Sequence, residues 1–144
     1  MKNIPFYFHK TRMIIRLTTE ETNGAYSVIE MEHLPSVGPA RHIHPRGVES
    51  FVVLAGDYVF SRNNQETRLG VGESISIPAN TPHRYLVGSE GGRLLVICPP
   101  GLENYFWESA QLLVREKLSL AEEFALAAKH GQDFLDTTSH WGHK

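Results

Sequence analysis

GPARHIHPRGVESFVVLAG (Gly38–Gly56) and GESISIPANTPHRYL (Gly72–Leu86) hold three histidines and a glutamate spaced like metal ligands: His42, His44, Glu49 and His83. His42 and His44 are two apart, so on a β-strand both side chains leave the same face. Glu49 follows after Pro45 and Gly47, which punctuate a turn before a new apolar run. His83 arrives after Pro78, Asn80 and Pro82, at the head of another strand-like segment. Neutral imidazoles with one carboxylate suit one borderline divalent ion: iron, manganese, nickel, copper or zinc. Four protein ligands on an octahedral ion leave two positions for water, oxygen or substrate. Of the other histidines, His9, His33 and His130 have no partner at ligand spacing and read as surface or edge residues. His140 and His143 flank Trp141-Gly142 near the end of the sequence and read as a frayed polar end.

From about residue 13 to 98 the chain consists of short β-like runs between turn residues. MIIRLTT (13–19) and AYSVIEMEHL (25–34) are separated by a turn at Asn23-Gly24. ARHIH, ESFVVLAG, DYVFSR, ETRLG, ESISIP, HRYLVG and RLLVICP follow. Gly56-Asp57 divides one pair of runs and Ser89-Glu90-Gly91-Gly92 the last. This spacing predicts a sandwich or closed barrel, not βαβ units. After Pro99-Pro100-Gly101 the period changes. LENYFWESAQLLVREKL predicts a helix over 102–116, and Ser119-x-x-Glu122 is a capping box opening a second over 120–130, stopped by Gly131. We divide the chain into an N-terminal segment 1–12, a barrel 13–99 and a helical extension with tail 100–144, within one structural domain. The segment IPFYFHKT is unusually aromatic. It is expected to cover an edge strand of its own barrel or of a partner in a homodimer.

At 144 residues, 41% hydrophobic and 21% charged, the composition is that of an ordinary globular domain. The net charge of −2 comes without any Lys/Arg-rich run, so the electrostatic footprint of a nucleic-acid binder is missing. The single cysteine, Cys98, excludes an internal disulfide and fits a reducing compartment. No stretch has the length of a membrane span, and charged residues interrupt the N-terminal apolar runs where a secretory segment would lie. These features predict a cytoplasmic protein that contacts neither nucleic acid nor membrane.

The spacing of Gly38, His42-x-His44, Glu49 and Gly56 resembles the first motif of the cupin superfamily. Gly72, Pro78-x-Asn80 and His83 resemble the second. Three positions depart from the pattern. Gly38 precedes the first histidine by fewer residues than usual, Asn80 stands where glycine is common, and Val87 where asparagine is. The likeness extends into the C-terminal half: the proline-rich turn, Gly-Leu-Glu with its aromatics, and an Ala-rich helix ending in His-Gly-Gln-Asp-Phe-Leu resemble single-domain quercetin-dioxygenase-like bacterial cupins over about residues 11–135. The resemblance implies an all-β barrel of the double-stranded β-helix, jelly-roll type with two C-terminal α-helices. It also implies His42, His44, Glu49 and His83 pointing inward at one metal, with Glu49 as ligand and catalytic base.

Parity then fills in the interior. Glu49 facing inward brings Phe51 and Val53 with it, and His83 brings Tyr85 and Val87, so Phe51, Val53, Tyr85 and Val87 form the expected substrate pocket. Such a pocket is apolar, which favours a neutral aromatic or enolic ligand. The resulting expectation is an oxygen-dependent dioxygenase acting on a small compound of that kind. The alternatives are a Lewis-acid isomerase, lyase or hydrolase, and a protein that binds or senses a small ligand without turnover. A nucleophilic hydrolase is disfavoured, because no Gly-x-Ser-x-Gly segment occurs.

Overall fold

The computed structural model describes residues 1–136; His140 and His143 lie outside the described residues. Its strands are β1 (Phe6–Phe8), β2 (Thr11–Leu17), β3 (Ser27–His33), β4 (His42–Ile43), β5 (Glu49–Arg62), β6 (Gln65–Leu69), β7 (Ser74–Ile77), β8 (His83–Cys98) and β9 (Asp133–Phe134), with helices α1 (Leu102–Val114) and α2 (Leu120–Lys129) between β8 and β9. The named strands pair antiparallel into one curled sheet, with the order β1-β2-β3-β8-β4-β9 on one path and β5 joined to β6, β7 and β8. This is the cupin-type jelly roll with two C-terminal helices that the sequence predicted.

Two long strands stand where the sequence reading placed four short ones. β5 runs through Gly56-Asp57 and β8 through Ser89–Gly92, and they pair with each other along most of their length, from Ser50↔Ile97 to Arg62↔His83. The ladder is interrupted between Gly56 and Tyr58, where four residues of β8 lie opposite a single residue of β5. Those extra residues form a bulge that bends both strands without ending them. Gly56 makes the corner: its φ is +77°, and a Cβ there would lie 2.2 Å from the Gly91 carbonyl oxygen. Only glycine fits such an approach. The bend carries the first half of β5 toward β7 and the second half toward β6, curling the sheet around its core.

That core is continuous with the helices. Phe8, Met13, Ile15, Ile29, Tyr58, Phe60 and Leu94 are fully buried, as are Leu102 and Tyr105 of α1. The helical period predicted for α1 therefore faces the sheet. Gly101 caps α1 in the left-handed region without a side-chain bond, whereas α2 opens with the complete Ser119/Glu122 capping box. β1 pairs with β2, Phe6 opposite Met13. A buried polar latch ties that corner to α2: Glu123, 1% exposed, meets His9 Nε2 at 2.6 Å and accepts the Tyr105 hydroxyl proton at 2.7 Å. No helix among the described residues is long and apolar enough to cross a membrane.

Candidate metal centre

Local packing against β8 brings the two ligand-bearing segments together. Gly38 lies so close to β8 that a Cβ there would be 1.9 Å from the Tyr85 carbonyl oxygen. The Val87 N–H donates to the Val37 carbonyl beside it at 3.1 Å. This approach sets His42 directly across from His83 in the ladder. β5 enters at Glu49, so the carboxylate starts on the inward face. The early Gly38, a departure from the usual pattern, is the point at which the backbone touches β8.

His42, His44, Glu49 and His83 are all buried, and one potential ligand atom from each lies within 4.8 Å of the other three. Glu49 Oε1 sits 2.9 Å from His44 Nε2 and 3.1 Å from His83 Nε2. Ligands about 2.1 Å from an ion and at right angles are separated by about 3.0 Å, so the spacing fits adjacent corners of one coordination polyhedron.

The backbone shows which nitrogen each ring offers. Nδ1 of His42 faces the Ala40 carbonyl at 2.7 Å, Nδ1 of His83 the Thr81 carbonyl at 2.8 Å, and Nδ1 of His44 the Gly131 carbonyl at 3.3 Å. A carbonyl only accepts, so each Nδ1 carries the proton; when a ring is neutral, the Nε2 it directs inward is bare. Bare nitrogens facing a carboxylate repel it unless protons or a cation lie between them. Burial pushes the His42 pKa well below the ordinary histidine range, assisted by the charges of His83 and His44 and opposed by Glu49, so protonation of all three rings is no general solution. At His44, burial opposes the charge, yet the Glu49 carboxylate and its hydrogen bond outweigh it and raise the pKa. At Glu49, burial works upward, but the His44 charge and the bonds from His44 and His83 hold the carboxyl well below the carboxylate range. This donor set fits a divalent ion. Carbonyl partners on the outer nitrogens are the usual means of fixing ligating imidazoles.

The centre opens on a small cavity of about 10 Å³, lined by Met31, Pro39, His42, Glu49, Phe51, Tyr85, Phe106 and Gln132. That is room for about one water-sized sphere. Of the four residues assigned to the substrate pocket by parity, Phe51 and Tyr85 line this cavity. Val53 and Val87 face inward and are buried, but they lie in the core away from it. Phe106 enters the wall from α1.

His33 is not a surface residue, as its lack of a ligand-spaced partner had suggested. It is 3% exposed, with Nδ1 at 2.7 Å from the Tyr58 hydroxyl and Nε2 at 3.0 Å from the Tyr85 hydroxyl. Burial lowers its pKa to about 3, so the ring is neutral and links the two tyrosines. Strand parity alone would have put His33 on the same face as Met31 and Ile29, a signal the metal spacing overshadowed. Gly131 was read only as the stop of the second helix, and Gln132 only as part of the His-Gly-Gln-Asp-Phe-Leu segment; neither was placed at the metal centre.

The comparisons agree with the geometry. The cupin domain model of the Cupin_2 family matches residues 30–98. Quercetin 2,3-dioxygenase of Bacillus subtilis is 28% identical over 90 residues, 62% of this chain, and the match spans 27% of the length of that enzyme. Among solved structures, a predicted oxalate decarboxylase from Thermotoga maritima superposes with a TM-score of 0.56 at 18% identity, covering 62% of this chain and 80% of the other. The Schizosaccharomyces pombe Cnp3 cupin domain superposes at 0.57 and 15%, covering 78% and 76%. The chain is a cupin superfamily protein. Its four-residue cluster could hold a metal ion.

Proposed function

We propose that this protein is a mononuclear metal-dependent dioxygenase acting on a small neutral aromatic or enolic compound. The observation that carries the reading is the buried convergence of three imidazoles and one carboxylate beside a cavity that His42 and Glu49 line and whose remaining walls are mostly apolar. The similarity to quercetin 2,3-dioxygenase of Bacillus subtilis supports the choice of oxygen chemistry over other cupin reactions. His42, His44, Glu49 and His83 hold the ion, which when bound supplies open positions for oxygen and for an ionised substrate oxygen. Glu49 lines the cavity as a carboxylate, so it is in the form that accepts a proton from an enol hydroxyl. Met31, Phe51 and Phe106 keep water away. The cavity admits little more than a water in this conformation, so any larger substrate enters by displacing apolar side chains of the wall such as Phe106.

The test is oxygen uptake by tag-free protein loaded separately with iron, manganese, nickel and copper, across a panel of phenols, enols and diketones. At least one pairing should consume oxygen. Glu49→Gln should retain substantial metal but lose most turnover. Absence of uptake with every metal, together with isomerisation or hydrolysis of a carbonyl compound by the zinc form, would replace this reading with Lewis-acid chemistry.

A further inference from the structure

Gln132 lies just past α2, beyond the residues matched by the cupin domain model. It is 2% exposed and lines the metal cavity with His42, Glu49 and Tyr85. Its backbone N–H donates to the Ala127 carbonyl at 2.8 Å. Both neighbours are anchored: the Gly131 carbonyl accepts from His44 Nδ1, and Asp133 pairs with Ile43 in the β4–β9 ladder. The position of Gln132 relative to the metal ligands is therefore fixed from both sides. Its side-chain amide, by contrast, has no hydrogen-bond partner among the described residues. Besides His42, Glu49 and Tyr85, the wall is supplied by the apolar Met31, Pro39, Phe51 and Phe106.

We infer that Gln132 is the ligand-selecting residue of the cavity. Its amide hydrogen-bonds an oxygen ligand held at the open positions of the ion, and it favours ligands that carry a carbonyl and a hydroxyl side by side. The argument is one of complementarity. A carboxamide presents an acceptor next to a donor, and its matching partner presents a donor next to an acceptor. The amide is neutral, so it adds no second negative charge beside Glu49. This inference rests on the reading of the centre as a metal site with open positions, but not on oxygen turnover.

The experiment uses the full chain loaded with cobalt(II), whose visible spectrum reports ligand exchange. Acetohydroxamate, with adjacent carbonyl and hydroxyl, and azide, a single-atom donor, are titrated against wild type, Gln132→Met and Gln132→Glu. Loss of one such hydrogen bond should weaken acetohydroxamate about tenfold in Gln132→Met, leave azide within about twofold, and leave cobalt stoichiometry and melting unchanged. Gln132→Glu keeps the shape and loses the N–H donors; it should weaken acetohydroxamate at least as much, and it decides the matter if Gln132→Met does not fold. Unchanged acetohydroxamate affinity in the variants would overturn the inference. Equal weakening of both ligands would also overturn it, since Gln132 would then only shape the cavity. A wild-type spectrum indifferent to both ligands contradicts this inference and the open metal site together. Discrimination by Gln132 without oxygen uptake by any metal form would uphold it while rejecting the dioxygenase.

Discussion

Adding a divalent ion should raise the melting temperature of this protein, and replacing His83 with alanine should remove most of the rise. Glu49 Oε1 lies 2.9 Å from one inward nitrogen and 3.1 Å from another, an arrangement that an ion stabilises only in the folded chain. At a free concentration one hundred times its Kd, such an ion stabilises the fold by about 2.7 kcal/mol. For a domain of this size each kcal/mol moves Tm by about 2–4 °C, so the rise should be about 5–11 °C. His83→Ala deletes one of four ligands and one of the two imidazoles held against Glu49. If affinity falls about a hundredfold, the same ion concentration stabilises by only about 0.4 kcal/mol, a shift of about 1–2 °C. The assay is scanning calorimetry of chelator-stripped, tag-free protein with and without cobalt(II). An equal rise in wild type and His83→Ala would place the ion elsewhere and refute the reasoning.

Further outcomes follow from the packing. Gly56→Ala should cost about 2 kcal/mol or more in denaturant unfolding, because the corner combines a positive φ with a 2.2 Å approach to the Gly91 oxygen; a cost under about 0.5 kcal/mol would mean the corner is not rigid. Glu123→Ala should cost about 2–4 kcal/mol, since it strips partners from both His9 and Tyr105, and unfolding midpoints of the variant will show it. His33 titrates near 6.5 when unfolded and at about 3 when folded, so the unfolded chain binds the extra proton in between. Stability is therefore lost as pH falls through that window, by up to about 1.4 kcal/mol per unit. His33→Gln should show a visibly shallower decline from pH 6 to 4 in parallel urea titrations, and matching slopes would rule this out.

The sequence made the ligand-bearing faces legible because strand periodicity and turn residues are local. His42 and His44 had to share a face, and Ser119/Glu122 had to open a helix. The strand ends were less legible. Gly56 and Ser89–Gly92 look like turns, yet they lie opposite each other across one ladder, so a paired bulge replaces two chain reversals. Residues that act through distant contacts escaped for the same reason. His33 is defined by Tyr58 and Tyr85, 25 and 52 positions away, and the Gly131 carbonyl reaches His44 across 87. Parity named Phe51 and Tyr85 but could not see that Val53 and Val87 fall outside the cavity, because alternation gives a face and not a depth along the barrel.

The central claim is that His42, His44, Glu49 and His83 hold one ion. Anomalous diffraction from crystals of tag-free protein soaked in cobalt(II), recorded on either side of the cobalt edge, tests it directly. One peak should lie within about 2.0–2.3 Å of the three Nε2 atoms and a Glu49 oxygen. A fully loaded crystal whose cobalt peak lies away from these four residues would contradict it.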